Sequence, residues 1–516
     1  MKKSWVLYLI LGIALAGLAD STYLTVEHFS NTLPPCHTGY FVDCGKVLLS
    51  KYSVIFGIPV ALIGVFQYLS EAVLTLLFIV TKKTEFKKLL IIFSFIGLGG
   101  SIYFMFIQFV IIKSICLYCT LSALISFVLF YLIWWKFEFE RKQVCVFTTK
   151  IVYKYFVKPL LFTIDPEIVH EQMVSFGSNL GKYRLVRNVF DYIYYYENKM
   201  LSQKIGGIMF DNPVGLSAGF DYDAKLTQIL PSISFGFMSV GTITNMPYNG
   251  NPAPMLGRLP KSKSLMVNKG FKSQGAEVIS KKLKNLDFEI PVGVSIGRTN
   301  SSKLKTQKES VADIISAFKI FEKSGVKNAY YELNISCPNL IHAGNIEFYS
   351  PNKLDELLSA VDKLNIKKSV FVKMPIDKTD NETLAMLKVI AKHSPAGVIF
   401  GNLQKDKNHT SLDKKEVAKF NVGNFSGKPT WERSNELVSL TYINYKKRFV
   451  IIGCGGIFSA EDAYEKIKRG ASLVMLITGM IFEGPQIIAD INIKLTDFLE
   501  RDGFKNLSDA VGAKYS

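Results

Sequence analysis

Cys337 lies where a buried strand would open onto a reaction site. Residues 333–340 read LNISCPNL, so the thiol follows an apolar run and stands between a serine and a proline. A thiol at such a place either fills space in the core or acts as a reactive group once its thiolate is stabilised. Because a free thiol has a pKa of about 8.5, the second role depends on what the fold brings near it.

Four further cysteines form two pairs in the N-terminal part of the chain. Cys116 and Cys119 make the motif CLYC at the start of an apolar run, and Cys36 and Cys44 precede another such run. A CxxC pair at a helix N-terminus favours the thiolate through the helix dipole and the neighbouring thiol. A structural disulfide or a zinc site uses the same residues. His37 has the nearest zinc-like spacing, and we interpret it as a loop residue, so no metal is expected.

Membrane helices would have to position these two pairs. Four hydrophobic runs, at 5–26, 53–80, 89–112 and 115–135, are each long enough or nearly so to cross a bilayer about 30 Å thick. The first run alone has the features of a signal peptide, and the three that follow argue against simple cleavage. The pattern predicts an all-α, four-helix transmembrane bundle.

Basic residues orient the bundle. They gather on one side of the predicted membrane, at Lys2, Lys3, 81–88, Lys136 and Arg141. Since basic residues are retained on the cytoplasmic side, both termini and the region after the bundle are expected in the cytoplasm. The two cysteine pairs then face the extracytoplasmic side, where disulfides persist.

From about residue 150 the sequence is typical of a water-soluble α/β protein. Eight short, β-branched runs alternate with amphipathic stretches of helical period, such as VADIISAFKIFEKSG. Eight such units predict a (β/α)8 barrel, or TIM barrel, whose chemistry gathers at the C-terminal ends of its strands. The runs are NPVGLSAG, FGFMSVGT, PVGVSIG, AYYELNIS, SVFVKMP, AGVIFGN, FVIIGCGG and SLVMLIT.

Polar groups and glycines mark the ends of the later strands. In chain order they are Asn334 and Cys337, Lys373, Asn402, the GCGG of 453–456, and Thr478 with Gly479. Loops after strands seven and eight of such barrels commonly bind phosphate through backbone N–H groups, and adjacent glycines allow a close approach. The pattern therefore predicts a phosphate-bearing ligand beside Cys337.

The distribution of charge excludes one class of ligand and marks a boundary. The net charge of +18 is spread along the chain without a basic cluster that would follow a phosphate backbone, so we expect no nucleic-acid binding. The charged stretch KFEFERKQ at 136–143 separates the bundle from the rest. We predict a transmembrane domain over 1–140, a helical extension over 150–205 and a barrel over 206–505.

The N-terminal part resembles the vitamin K epoxide reductase family. The resemblance rests on PPCHTGYFVDCGKVLLSKYSVIFGIPVALIG, followed by CLYC, and covers about 130 residues. It implies that Cys116 and Cys119 face a quinone and receive electrons from the loop pair Cys36 and Cys44. It also implies a thioredoxin-like partner that is re-oxidised by thiol-disulfide exchange. We expect this partner to be a separate protein.

The C-terminal part resembles the dihydroorotate dehydrogenase family, FMN enzymes of pyrimidine biosynthesis. The matching motifs are FTIDPEIVHE, NPVGLSAGFD, GNPAPMLGRLP, NISCPN, FVKMP, SGKP and IIGCGGIFSAEDA. The resemblance implies that Cys337 is the base that removes a proton from C5 of dihydroorotate while hydride leaves C6 for flavin N5. FTIDPEIVHE resembles the quinone-using class, in which an N-terminal helical pair forms a quinone tunnel that His170 and Arg258 would line.

The same resemblance assigns contacts to the other strand-end residues. Lys373 would contact the flavin and stabilise negative charge on its reduced ring. The substrate would be held by Asn268 and Asn339. The remaining contacts to the flavin and its phosphate would come from Asn334, Asn402, Ser426, Gly427, Gly455, Gly456, Thr478 and Gly479.

Several positions depart from the family pattern. Tyr222 follows GFD, where the family has a lysine that contacts flavin and orotate, and Lys225 is the nearest lysine. The asparagine expected before GF is either displaced to Asn268 or replaced by Val267, and Ser295 stands where a flavin-facing asparagine is usual. A cysteine base is typical of the soluble class, whereas the quinone-using class has serine.

We therefore predict a membrane-bound oxidoreductase that converts dihydroorotate to orotate, fused to a thiol-oxidising domain, with quinone as the acceptor of both. One alternative is an FMN barrel that acts on another pyrimidine or an enone, with the bundle serving only as an anchor. Another is a flavin-binding regulatory protein. Tyr222, in place of the family's lysine, motivates both alternatives. The four spaced cysteines count against a simple anchor, since anchoring needs none.

Overall fold

A computed structural model describes residues 4–30, 32, 34–36, 41–137, 141–344 and 346–515. The chain divides into two compact units, Met1–Thr148 and Thr149–Ser516. His37 lies outside the described residues.

The first unit contains four long apolar helices, which we number 1 to 4. They are Ser4–Ser30, Val60–Thr81, Thr84–Phe106 and Leu117–Phe137. Helix 3 continues as a π-helical segment over Ile107–Ile112, and a short helix, Cys44–Leu48, lies between helices 1 and 2. All four are long and apolar enough to cross a membrane. The predicted number of apolar helices is thus confirmed.

Helix 2 begins later than the hydrophobic run that predicted it. Val54–Ile55 and Ile58–Pro59 form a short antiparallel pair before the helix. Phe56 and Gly57 close the turn with φ angles of 49° and 83°. The hydrophobic run 53–80 predicts a single helix, because hydrophobicity alone does not distinguish a helical backbone from a hairpin.

Helices 1 and 2 pack closely through small residues, and a hydrogen bond joins helix 2 to helix 4. A Cβ at Gly17 would lie 2.7 Å from the ring of Tyr68, and one at Gly64 would lie 3.2 Å from Cβ of Ser21. Such small residues let two backbones approach, which drives helix association where no water is displaced. The Tyr68 hydroxyl donates to the carbonyl of Ser122 in helix 4 at 2.7 Å.

Helices precede the barrel in the second unit and continue from the first. They are Arg141–Val152, a π-helical segment Tyr153–Val157, Lys158–Leu161, Pro166–Gly181 and Arg184–Tyr194. The motif DPE explains where Pro166–Gly181 begins. Asp165 accepts hydrogen bonds from the backbone N–H groups of Glu167 at 2.8 Å and Ile168 at 3.2 Å, and proline is favoured at the first helical position. The last two helices, with the loop before them, are called the extension below.

Eight parallel strands close a barrel in chain order, and we number them β1 to β8. They are Val214–Leu216, Phe237–Ile243, Val292–Ile296, Tyr330–Asn334, Ser369–Met374, Gly397–Phe400, Val450–Cys454 and Leu473–Leu476. Seven strands lie within predicted runs and β2 extends one residue beyond its run FGFMSVGT, so the predicted TIM barrel is confirmed.

Helices cover the outside of the barrel. Those after β2 to β7 are Ala276–Leu283, Gln307–Ser324, Pro351–Asp362, Asp380–Ile390, Lys414–Val417 with Trp431–Tyr445, and Ala460–Lys468. Thr478–Glu483, Ile487–Arg501 and Leu507–Ala510 follow β8. Short 3₁₀ turns lie at Lys199–Leu201, Pro231–Ile233, Lys428–Thr430 and Ala513–Tyr515.

Aromatic side chains fill the lower part of the barrel interior. The ring of Tyr330 in β4 packs edge-to-face on Phe237 of β2 and on Phe371 of β5, with centroids 6.5 and 5.6 Å apart. Side chains along a strand alternate between its two faces. Glu332 lies two residues after Tyr330 in β4, and Lys373 lies two residues after Phe371 in β5. Both therefore also face the barrel interior, nearer the C-terminal ends of the strands.

Five short strands of the second unit were not predicted from the sequence. Gln203–Ile205 and Ile208–Phe210 form a hairpin, and Leu256–Leu259, Ser264–Val267 and Asn424–Phe425 form a three-stranded sheet. The hairpin had a signal, since Gly206 and Gly207 both have positive φ, as a two-residue hairpin turn requires. In the sheet, Leu256–Leu259 pairs locally with Ser264–Val267, whereas Asn424–Phe425 pairs with residues more than 150 positions away and left no local pattern.

Candidate active sites

A cavity of about 410 Å³ opens between the C-terminal ends of the barrel strands and the extension. Its walls are mostly apolar, with a few convergent polar groups, which is the usual composition of a small-molecule site. The predicted site residues that line it are Cys337, Asn334, Asn339, Lys373, Asn402, Ser426, Thr478, His170 and Arg258.

The Cys337 thiol belongs to this cavity and is strongly desolvated. Burial raises its pKa to about 11, while a backbone N–H at Asn339 and the charge of Lys373 act in the opposite direction. The protein thus supplies an anion-stabilising N–H and a cation near the sulfur, but burial outweighs both. A proton held this firmly leaves the thiol only when the bound ligands shift the balance.

Lys373 is held by a buried polar network below the cavity. Its Nζ lies 3.4 Å from a carboxylate oxygen of Glu332 and donates to the Ser217 hydroxyl at 3.1 Å. Glu332 is fully buried and also accepts from the Ser295 hydroxyl at 2.9 Å. A buried charge needs such a partner. The network fixes the lysine head at the base of the cavity.

Asn334 and Asn402 are joined through Ser336. The Asn334 amide donates to Thr242 Oγ1 at 2.8 Å, and its carbonyl accepts from the Ser336 backbone N–H at 3.2 Å. Asn402 donates to the Ser336 hydroxyl at 2.7 Å. Both amides are thereby oriented at the strand ends, beside the residue that precedes Cys337.

The predicted phosphate residues come together in a smaller cavity of about 90 Å³. It shares Lys373, Asn402, Ser426 and Thr478 with the larger one, so the two are continuous. The remaining predicted residues that line it are Gly427, Gly455, Gly456 and Gly479.

The glycines of this smaller cavity are required by their backbone and their neighbours. Gly455 and Gly456 have φ of 95° and 72°, where other residues are strained. A Cβ at Gly455 would meet the Thr430 hydroxyl at 2.5 Å, and one at Gly456 would meet Trp431 at 2.6 Å. The loop can therefore take this path only with glycines, and its backbone borders the cavity, as a phosphate site requires.

Asn268 and Asn339 belong to a cluster of amides beside the larger cavity. Asn268 donates to the carbonyls of Pro252 and Pro254 at 3.3 and 3.4 Å and accepts from Asn251 at 3.0 Å. Asn339 donates to the Val267 carbonyl at 2.9 Å. Asn339 and Val267 line the cavity, whereas Asn268 turns away from it into the cluster.

His170 and Arg258 lie at the extension side of the cavity. His170 Nε2 donates to the Phe220 carbonyl at 2.8 Å, and burial together with the charge of Lys269 lowers its pKa to about 4. The imidazole is therefore neutral. Arg258 stacks over the Phe162 ring, 4.8 Å from its centroid, and its pKa is lowered by burial.

Tyr222, which stands where the family has a lysine, lies beside a different lysine that the sequence did not predict. Tyr222 lines the cavity, and burial raises the pKa of its phenol. Lys225 is exposed and is absent from the cavity lining. Lys269 instead lies over the Tyr222 ring, with Nζ 5.1 Å from its centroid.

The cysteines of the first unit also converge. A disulfide joins Cys36 and Cys44, and the sulfurs of Cys36, Cys44 and Cys116 all lie within 4.8 Å of one another. Cys119 donates its backbone N–H to the Cys116 sulfur at 3.4 Å. The loop is held against the CxxC segment by the Ile115 N–H, which donates to the Phe41 carbonyl at 2.8 Å. Exchange between the two pairs needs this proximity.

A second cavity, of about 230 Å³, lies inside the first unit and includes Cys119 in its wall. Polar side chains from three helices reach it, among them Gln67, Tyr68, Gln108 and Ser126. The CxxC cysteine nearer the helix interior thus borders a mostly apolar chamber with a few hydrogen-bonding groups.

Sequence reasoning missed Glu332, Lys269 and Glu167. The sequence did indicate that Glu332 is unusual, since a single charge in an apolar strand must face either solvent or a buried partner. Nothing in the sequence indicated the pairing of Lys269 with Glu167, because it depends on how the extension meets the loop after β2.

Two family models match separate parts of the chain. The model described as dihydroorotate dehydrogenase matches residues 200–499. The model described as the vitamin K epoxide reductase family matches residues 8–134. The two matches coincide with the two sets of converging residues.

Curated relatives match the barrel and the extension together. A dihydroorotate dehydrogenase (quinone) of Nostoc sp. strain PCC 7120 is 32% identical over 381 residues, 70% of this chain and 99% of the relative. One of Christiangramia forsetii is 34% identical over 354 residues, 67% of this chain and 99% of the relative. A solved structure of ligand-free DHODH from Eimeria tenella is 26% identical, with a TM-score of 0.60, and covers 68% of this chain and 99% of that chain.

Proposed function

The chain belongs to the dihydroorotate dehydrogenase family, and from that premise we propose that its barrel oxidises dihydroorotate to orotate with FMN as cofactor and quinone as acceptor. The molecule is an oxidoreductase that also carries a vitamin K epoxide reductase-like domain. The observation that carries the proposal is the continuity of the two barrel cavities, which joins Cys337 to Lys373 and the glycine loops.

The residues of the smaller cavity fit FMN. A Cβ at any of its glycines would collide with neighbouring protein atoms, so the loops can line this cavity only with glycine there, and Thr478 and Ser426 add hydroxyls, 2.9 Å apart, at the same place. The phosphate would lie against the backbone of Gly427, Gly455, Gly456 and Gly479. Lys373 then stands where a ring bound through that phosphate would extend, and its charge favours a reduced, anionic ring.

The substrate would lie in the larger cavity between Cys337 and the cofactor. Bound FMN would supply a hydride acceptor for C6 of dihydroorotate. The Cys337 thiolate would take the C5 proton, and the resulting thiol returns that proton to solvent between turnovers. Asn334 and Asn402 are already oriented by Ser336, so they would contact the flavin beside the substrate without reorganising, while Asn339 lines the cavity as the proposed substrate contact.

Quinone would reach the barrel through the extension. His170 and Arg258 line the cavity on that side. Several large apolar side chains of the extension region are exposed, including Leu160 at 67%, Phe176 at 57% and Leu185 at 77%. Apolar side chains so exposed suit an interface with lipid, where quinone is dissolved.

In the first unit, a quinone-linked thiol oxidation is supported by the converging sulfurs. The loop dithiol of Cys36 and Cys44 would reduce a Cys116–Cys119 disulfide by exchange, and the CxxC dithiol would pass two electrons and two protons to a quinone. The quinone becomes quinol, and a disulfide is regenerated at each step. Cys119 borders the cavity that would hold the quinone.

We also propose the membrane arrangement expected from the basic residues. The bundle would cross the membrane with both termini and the barrel in the cytoplasm, and the cysteine pairs would face the other side. A separate thioredoxin-like protein would supply electrons to the loop pair.

Anaerobic mixing of the detergent-purified holoprotein with dihydroorotate tests the barrel's function. Bleaching of the flavin, followed by reoxidation on addition of a soluble quinone, is the expected result. A flavin that stays oxidised with dihydroorotate but bleaches with another pyrimidine or an enone would support the alternative substrate that Tyr222 motivates. A protein without flavin would contradict the cofactor assignment.

A further inference from the structure

Lys269 is a buried cation in the wall of the substrate cavity. The residue is only 3% exposed, and its Nζ lies 3.2 Å from a carboxylate oxygen of Glu167 in the extension. It also lies over the ring of Tyr222, which lines the same cavity. A lysine this deeply buried requires an anionic partner, and in the described residues Glu167 provides it.

The other cations of the cavity wall are engaged elsewhere. Lys373 is bound to Glu332 and Ser217 at the base of the cavity. Arg258 donates to the Ile164 carbonyl at 2.5 Å, on the side of the extension. His170 is neutral, as shown above. Among the described residues that line the cavity, Lys269 is the cation whose counter-ion comes from the extension, outside the barrel.

The substrate brings its own anion into this cavity. Dihydroorotate and orotate are carboxylates, and a carboxylate that enters a mostly apolar cavity needs a cation or several N–H groups. Lysine binds any carboxylate as a point charge, so a substrate carboxylate can take the place of Glu167 with little change in geometry.

We propose that Lys269 binds the substrate carboxylate and that Glu167 is the resident counter-ion that the substrate displaces. The proposal rests on the proposed function and deepens it, because it makes the barrel selective for anionic over neutral pyrimidines. It also assigns the role of cation at the Tyr222 position to a lysine from the loop after β2.

Displaced Glu167 would keep a cation nearby. Lys272 Nζ already lies 4.0 Å from the same Glu167 oxygen, and it pairs with Glu171 at 3.1 Å. Lys272 is 32% exposed, so this second pair is in contact with water. The exchange therefore leaves neither carboxylate buried without a partner.

Binding of orotate and of uracil to the oxidised holoprotein, followed by the change in flavin absorbance, tests the proposal. The two ligands share a ring and differ in the carboxylate. Lys269→Met should weaken orotate by roughly 30-fold or more, the usual consequence of truncating one partner of a buried charge pair, and should change uracil binding by less than about threefold. Lys269→Arg should recover much of the orotate affinity. Glu167→Gln removes the competitor and should tighten orotate severalfold.

Lys225→Met is the matched control, since it removes the lysine nearest to Tyr222 in the sequence without altering the cavity wall. Its orotate affinity should equal that of the wild type. Unchanged orotate binding in Lys269→Met, or an equal loss of orotate and uracil, would overturn the proposal. If Lys269→Met loses its flavin, Lys269→Gln and Lys269→Arg are compared as holoproteins, and equal orotate affinities would overturn it.

The outcome is separable from that of the proposed function. A wild type that binds orotate through Lys269 but is not reduced by dihydroorotate would retain the carboxylate site and lose the dehydrogenase assignment. A wild type reduced by dihydroorotate, with Lys269→Met unaffected, would retain the dehydrogenase and lose the carboxylate site.

Discussion

The Cys337 sulfur is held as a thiol in the free protein. With its pKa raised to about 11 by burial, only a small fraction is thiolate near neutral pH. The nearby Lys373 charge and the Asn339 backbone N–H act toward the thiolate without overcoming burial. The proposed base is thus kept from reacting as a nucleophile until a ligand completes the site.

Replacement of Cys337 by alanine should preserve the flavin and slow its reduction by roughly 10² to 10⁴, the usual contribution of a positioned general base. Serine occupies the same place but ionises less readily, so it should recover part of the rate at high pH. Stopped-flow bleaching with dihydroorotate measures both variants. Bleaching of the alanine variant at the wild-type rate would exclude Cys337 as the base.

The wild-type rate of flavin reduction should rise with pH. Thiolate is the active form, and below the thiol pKa its fraction increases about tenfold per pH unit. We expect the logarithm of the reduction rate to increase across roughly pH 6 to 9, while the alanine variant shows no such rise. A flat wild-type profile would mean that proton removal does not limit flavin reduction.

The pair of Lys373 and Glu332 should behave as one unit. Lys373→Met leaves the fully buried Glu332 carboxylate without its cation, which costs about 3–5 kcal/mol of unfolding free energy. The double variant with Glu332→Gln should be more stable than Lys373→Met alone. Thermal unfolding in detergent, followed by circular dichroism, gives the comparison, and strictly additive losses would show that the two side chains do not interact.

At this scale, residue types and spacing predicted most of the polar residues of the cavity wall but not its apolar lining. Cys337, Lys373 and the glycines could be located because strand ends of a barrel converge. The position of Lys269 beside Tyr222 could not be predicted. Proximity in sequence pointed to Lys225, which is exposed, whereas the lysine over Tyr222 comes from another loop. The path of a loop in space is not encoded in local periodicity.

The loop after β7 contains Gly455 and Gly456 of the proposed phosphate site. Gly456→Ala would have to adopt a φ of 72° and would meet Trp431 at 2.6 Å, so the loop must shift. We expect this variant to lose most of its FMN. Gly325 has a φ of 76° with nothing within 4 Å of an added Cβ, and Gly325→Ala should keep its FMN. Flavin absorbance per protein measures both, and equal retention would exclude the loop as a phosphate site.

Among the elements, the eight barrel strands were predictable because each is a short apolar run bounded by turn residues. The start of helix 2 and the three-stranded sheet were not. In the sheet, Asn424–Phe425 pairs with Ser264–Val267 across a long stretch of chain. Each strand alone has too little pattern, and the pairing exists only after the barrel brings the segments together.

The molecule as a whole contains two sets of predicted site residues in two compact units. The family matches fall on the same two parts, residues 8–134 and 200–499. A shared acceptor, quinone, would make the fusion useful without any transfer of electrons from one set to the other.

Cys119→Ala should therefore abolish thiol-dependent quinone reduction and leave FMN content and dihydroorotate oxidation unchanged, because the two sites belong to separate compact units and share no lining residue. Cys337→Ala is the reciprocal control and should lose only dihydroorotate oxidation. Both activities are measured on the same detergent preparation with the same quinone. Loss of both in either variant would show that the two sites are coupled.

Two acidic residues of the bundle bear on how this protein enters a membrane during synthesis. Neither carboxylate oxygen of Asp20 in helix 1 has a hydrogen-bond partner, and Glu71 in helix 2 is 2% exposed and accepts from Gln67. An acidic residue near the centre of a single helix opposes its release from the translocon into lipid. Helices 1 and 2 pack through Gly17 and Gly64, so the pair buries what each helix alone would expose. We therefore expect the hairpin of helices 1 and 2, and not helix 1 alone, to be the unit that leaves the translocon.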